Sequence, residues 1–361
     1  MGNHLAFLVG TIAKRNGACK PRMEAVICSR SMAVKDRKKL MGMGLGAGLL
    51  GALFFALKYA LKPAKKTPLP DSISPAVFAT KLMHTSLGHV IYHESGEGGP
   101  LLFLHSLCLG GSSYEWSKVY PEFVRYYRVL APDMVGFGES QRPNVQATAA
   151  DYVRMLAEFI RATCWDEQPV IVASGLSGGF ALQLAAQHPE LVSRLILYMP
   201  TGNQNFGFGR LRMGTRFAAH FPRLQRFLYK NYQSTRTAVR HWLANGGYAN
   251  PDLLTDEVVE VFTTCARQGG AENAIRNLHS GRLNLNLEER LSEVAVPVTY
   301  IWGNEPAYPP LEYGQFLQAH TRHARFVVVP KVGALGPLED PRQMIEILKA
   351  ELEPGFRVVR D

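Results

Sequence analysis

Residues 170–180, Val-Ile-Val-Ala-Ser-Gly-Leu-Ser-Gly-Gly-Phe, carry the clearest chemical signal in the chain. An apolar run of strand character stops at Gly175-Leu176-Ser177-Gly178-Gly179, and a helix-compatible segment follows at once. The Gly-x-Ser-x-Gly spacing has a mechanical basis: a serine at the apex of a strand-to-helix turn is held in strained backbone geometry, and small flanking residues let strand and helix pass without collision. Ser177 is then the candidate nucleophile for acyl transfer, with the Gly178 N–H and Leu107 as the oxyanion hole. A serine hydroxyl is a weak nucleophile at neutral pH, so this chemistry needs a base within hydrogen-bond reach and an acid that orients the base.

Such a turn must be held by a sheet. Residues 89–93 alternate as a strand, 101–104 form a buried strand ending at His105-Ser106-Leu107, 128–133 form another that closes in the loop 134–140, and 194–199 end at Pro200. A helix is expected over about 148–162. Strands and helices alternating at these short intervals predict an α/β fold, a mostly parallel sheet with helices on both faces. From 204 to 291 the alternation stops, and residues 217–229, 235–244 and 255–267 carry helical spacing, which marks an inserted helical cap. Strands at 298–302 and 325–329 and helices at 311–319 and 341–352 resume the pattern. The core thus falls in two parts, 77–203 and 292–361, with the cap between them.

The basic balance of the chain, +10 overall, is uneven. Residues 1–66 hold 13 Lys and Arg against Glu24 and Asp36, whereas the remainder sets 27 Lys and Arg against 28 acids. A near-neutral globular part argues against nucleic acid as partner and assigns the basicity to targeting or a membrane surface. Residues 1–40 form a basic segment in which organellar targeting and a cytoplasmic tail both remain open. Residues 41–57 are uncharged and bracketed by lysines, so 41–61 is expected to be a single membrane-spanning helix, with a removed targeting segment as its competitor. Gly44 and Gly48 would offer a close-packing face for a second helix, and 62–76 is a linker. The five cysteines are scattered, without zinc-like spacing; they imply no disulfide framework and no metal site, and no cofactor is implied either.

Several blocks in the right order resemble the α/β-hydrolase superfamily, in the single-domain branch with a helical cap that includes haloalkane dehalogenases, epoxide hydrolases, haloperoxidases and many esterases. They are the Ser177 turn, the His105-Ser106-Leu107 loop where that family usually has His-Gly, the block 131–140 (Ala-Pro-Asp-Met-Val-Gly-Phe-Gly-Glu-Ser), the 194–200 strand, Ile301-Trp302-Gly303 and Leu338-Glu339-Asp340-Pro341. The resemblance implies an α/β-hydrolase fold and a Ser-Asp-His triad. Its acid position falls on Pro306 and its histidine position on Ala334, so both partners of the serine are missing. The other common place for the acid offers Asn203. Among substitutes, Glu305 lies one position early, and His220, His241 and His279 belong to the cap. His320 and His323 precede the last strand, at the far end of the sheet.

The expectation is therefore a hydrolase-like fold with a degenerate triad. It keeps a pocket formed by His105, Ser106, Trp116 and Phe137 under the cap and takes a hydrophobic small ligand, or serves as a scaffold. The alternative is an active ester hydrolase using Ser177 with a base from the cap.

Overall fold

The computed structural model describes residues 78–202, 217–305 and 309–352. Its strands are β1 Ala79–His84, β2 His89–Ser95, β3 Pro100–Leu104, β4 Arg128–Pro132, β5 Val170–Ser174, β6 Arg194–Tyr198, β7 Val298–Gly303 and β8 Ala324–Val329. They form one sheet in the order β1-β2-β4-β3-β5-β6-β7-β8. From β4 to β8 every neighbouring pair is parallel, while β2 runs antiparallel to both β1 and β4. Central strands covered on both faces must be apolar throughout, and β3 and β7 are buried at every position. The edge strand β1 is exposed along nearly its whole length and carries Lys81, which pairs with Glu94 and blunts the free edge.

Helix α1, Ala149–Thr163, opens with a capping box in which the Thr148 and Asp151 side chains satisfy each other's backbone N–H. Helix α2, Gly175–Gln187, leaves β5 directly. The two helices meet through Tyr152 and Phe180, whose rings stack at 5.2 Å. Between β6 and β7 the described residues hold helices and turns and no strand. These helices are α3 Pro222–Leu228, α4 Arg236–Trp242, α5 Asp256–Ala266 and α6 Ala271–Ser280. The chain closes with α7 Leu311–His320, α8 Gly336–Glu339 and α9 Pro341–Leu352. Neither β1 nor α6 stood out in the sequence; α6 is short and fenced by Gly270 and Gly281, both in left-handed backbone at φ 91° and 80°.

The apolar side chains form two clusters. The larger encloses the sheet, and the smaller joins Val239, Leu243, Val258 and Phe262 of the cap to Tyr114, Leu335 and Leu338 of the core.

One expectation is corrected. No helix among the described residues is long and apolar enough to cross a membrane, so the spanning helix and the single-pass localisation receive no support. The expected segment 41–61 lies outside the described residues, as do 1–40 and 62–76 and the Gly44/Gly48 face. The expectation rested on the absence of charge over 41–57, a run with glycines at 42, 44, 46, 48 and 51; glycine within a helix costs about 1 kcal/mol against alanine.

Candidate functional site

The turn between β5 and α2 has the form anticipated, with a different residue at its apex. Ser174 is the last extended residue, at φ −116° and ψ 152°. Gly175 follows in left-handed backbone at φ 54° and begins the helix. The corner therefore lies at Gly175, two residues ahead of Ser177. A Cβ at Gly175 would stand 3.0 Å from the Cβ of Ser106, so the place of a nucleophilic side chain is bordered by the Ser106 side chain. Ser177 is fully buried within the first turn of α2 and donates its hydroxyl to the His105 carbonyl at 2.6 Å. The small residues after the corner have a packing reason: a Cβ on Gly178 would meet Pro200 at 2.9 Å, and one on Gly179 the Thr201 carbonyl at 2.4 Å. In an elbow of this kind the oxyanion donor is the N–H after the apex. Here that residue is Leu176, where the sequence reading had placed Gly178.

The loop after β3 faces this corner. The His105 ring is buried, its Nε2 accepting the Met134 N–H at 3.0 Å and its Nδ1 lying 2.8 Å from the Ser106 carbonyl. With Nε2 accepting, Nδ1 must carry the proton, so neither ring nitrogen is free to take a proton from Ser177. Trp116 and Phe137, expected to line a pocket, and Leu107, expected at the oxyanion hole, are buried members of the main core, and Trp116 donates its indole N–H to the Leu104 carbonyl at 3.2 Å. A cavity of about 10 Å³ lies nearby, lined by Cys108, Gly111, Phe137, Tyr229 and Cys265; that is room for about one water. Burial pushes the Cys265 thiol up to about 12, so it stays protonated at neutral pH.

Sequence reasoning missed Glu115, which is fully buried at the centre of the loop. Its carboxyl accepts the Ser106 N–H at 2.8 Å, the Ser106 hydroxyl at 2.6 Å and the Ser174 hydroxyl. One acid thus binds the loop after β3 to the last residue before the apex. Burial pushes this carboxyl up from its ordinary value, and the hydrogen bonds from Ser106 and Ser174 partly offset that. The available signal was a lone acid between Tyr114 and Trp116, two large aromatics that both bury.

The late loop supplies no imidazole. Pro306 lies outside the described residues, and Glu305 is exposed. Ala334 holds the histidine position, and the loop around it is tied elsewhere. Tyr198, the partner of Ser174 across β5 and β6, donates its hydroxyl to the Gly333 carbonyl. The buried Glu339 carboxylate accepts the N–H groups of Gly333 at 2.7 Å, Asn250 at 2.7 Å and Ala249 at 3.1 Å. The Leu335 N–H donates to the Gly247 carbonyl at 2.8 Å.

No candidate base reaches Ser177. His220, His241, His320 and His323 are exposed. The first ring nitrogen of His241 contacts Asn245, and that of His320 contacts the Phe316 carbonyl. His279 is part-buried, and desolvation pushes it down to about 4. Among the described residues no ionisable side chain is hydrogen-bonded to the Ser177 hydroxyl.

The family profile described as alpha/beta hydrolase fold matches residues 99–341, and the chain belongs to that family. Among curated relatives, 2-hydroxy-6-oxo-6-(2'-aminophenyl)hexa-2,4-dienoic acid hydrolase of Metapseudomonas resinovorans is 36% identical over 112 residues, 31% of this chain and 39% of that protein. The aligned stretch is thus about two fifths of that relative. An uncharacterized protein of Mycobacterium tuberculosis is 26% identical over 274 residues, covering 72% of this chain and 76% of its own. The solved structure of a serine hydrolase involved in carbazole degradation, the CarC enzyme, superposes with a TM-score of 0.63 at 23% identity, over 77% of this chain and 99% of that one. That likeness bears on the fold alone.

Proposed function

We propose that this α/β-hydrolase-fold protein does not perform triad acyl transfer and works through its fold, binding a hydrophobic small ligand or serving as a scaffold. The observation that carries this reading is the glycine at the corner: the one backbone position that would present a nucleophile has no side chain. Two further features support it. Ala334 stands where the family's base would stand, and Ser177, the other hydroxyl of the motif, is buried and already donated to a backbone carbonyl. Losing a single triad member lowers turnover by about four to six orders of magnitude, so a chain without the serine at the corner or the histidine in the late loop is expected to show no triad turnover. The curated relative named as a hydrolase of an oxo dienoic acid supplies one ligand class to screen beside purely hydrophobic compounds.

A fluorophosphonate probe tests the reading. The wild-type chain is expected to stay unlabelled, and a variant carrying Gly175→Ser, Ser106→Gly, Pro306→Asp and Ala334→His to gain labelling at residue 175. Stoichiometric labelling of the wild type, abolished by Ser177→Ala, would instead establish an active hydrolase that uses Ser177 with an unconventional base.

A further inference from the structure

A second group of side chains converges away from the turn, where β2 faces the loop that follows β4. His93 on β2 is fully buried. Its Nδ1 lies 3.2 Å from the Thr80 hydroxyl on the neighbouring strand. Its Nε2 has no hydrogen-bond partner and faces the Glu139 carboxylate, with 3.6 Å between Nε2 and Oε2. Asp133, also fully buried, completes the group, and one ligand atom from each of the three residues lies within 4.8 Å of the others. Each Asp133 oxygen accepts one backbone N–H at 2.6 Å, from Ser113 and from Glu139, and each keeps a further lone pair.

The charge balance of this group is unusual. Among the described residues neither Asp133 nor Glu139 is ion-paired with a lysine or arginine. The guanidinium of Arg142, close enough to feel both carboxylates, donates instead to the carbonyls of Ser140 and Gly138. Two carboxylates with no cation between them, beside an imidazole whose lone pair has no donor, are costly in a protein interior.

The spacing has a simple explanation. At 3.6 Å, Nε2 and Oε2 are too far apart for a good hydrogen bond. Two ligand atoms each about 2.0–2.2 Å from one tetrahedral ion stand roughly 3.3–3.6 Å apart, which the His93–Glu139 pair meets; with the three ligand atoms within 4.8 Å of one another, binding draws Asp133 in by up to about 1.2 Å. The Thr80 contact fits the same picture, since a ligating imidazole donates its other ring N–H to an outer partner that fixes the tautomer and the ring plane.

We propose that His93, Asp133 and Glu139 form a divalent-cation site of the zinc class, the imidazole binding through Nε2 and each carboxylate through one oxygen. Water completes the shell from the side of Glu139, whose side chain is 29% exposed. The ion cross-links β2 to the 133–140 loop and neutralises its two acids. Short Cys and His spacings do not reveal this group, because its members are far apart in the chain.

The test is calorimetric titration of the metal-stripped full chain with Zn²⁺ alone. Glu139→Gln and Thr80→Val serve as variants, because both leave the buried histidine in place. The wild type is expected to bind one ion per chain, Thr80→Val at least about tenfold more weakly, and Glu139→Gln more weakly still. The unfolding midpoint of the wild type should rise with Zn²⁺ by mass action and that of Glu139→Gln should not. Absence of a one-per-chain event in the wild type overturns the proposal. So does wild-type affinity retained in Glu139→Gln, which would put the ion on other histidines or on cysteine.

Discussion

At the corner between β5 and α2, the backbone makes a sharp left-handed bend at a residue without a side chain. At residues 332–339 the reverse holds: the loop bears no imidazole and is bound into the structure through Glu339, Tyr198 and Leu335, with contacts to the cap at Gly247, Ala249 and Asn250. One region is a bend with no side chain at its apex. The other is a structural joint between cap and core. The difference teaches that two parts of one candidate site can be held by separate sets of contacts and so can respond to substitution separately.

The sharpest way to break this contrast is Glu339→Ala. Three backbone N–H groups lose their acceptor, and leaving them unsatisfied is expected to cost about 3–5 kcal/mol in urea denaturation. A loss below about 1 kcal/mol, the ordinary scale of one hydrogen bond, would mean that the late loop is not the joint described here.

The corner responds more mildly. Gly175→Ser forces an L-residue into left-handed backbone at about 1–2 kcal/mol and presses on the Ser106 Cβ, 3.0 Å away. Adding Ser106→Gly should return part of that loss, so a double-mutant cycle is expected to show coupling of at least about 0.5 kcal/mol. Strict additivity would deny that the two side chains compete for the same space.

The smallest effect is a slope. The Glu115 carboxyl is raised above its ordinary value of 4.5, chiefly by burial, so the native state binds its proton more readily than the unfolded chain does. Stability is therefore lost as pH rises from about 4.5 through the higher native value. In Glu115→Gln, which stays neutral, that part of the decline should be missing, with the two proteins converging at the acid end. Parallel profiles across the range would contradict the assignment.

Much of the fold was legible because central parallel strands must be apolar at every position and the breaks between them are glycine-rich. The edge strand β1 was not, since Ala79–His84 is exposed and owes its place to pairing with β2 rather than to its own pattern. The turn was legible as a turn, while its register was not. Glycines at 175, 178 and 179 let the Gly-x-Ser-x-Gly spacing centre on Ser177, although the apolar run ends at Ala173 and Ser174, so the corner had to come at Gly175. Glu115 and the group at His93 depend on contacts between distant parts of the chain, which no local spacing announces. The segments 1–76 offered the strongest compositional signals and lie outside the described residues.

The glycine at the corner gives the molecule a bend that costs its backbone little. Without a Cβ the bend carries no steric penalty, and the Ser106 side chain, held by Glu115, borders the space a Cβ would need. A side chain at 175 would therefore strain the backbone and crowd Ser106 at once, whereas glycine does neither. The corner thus works as a latch cut to glycine, one that any larger residue would have to force.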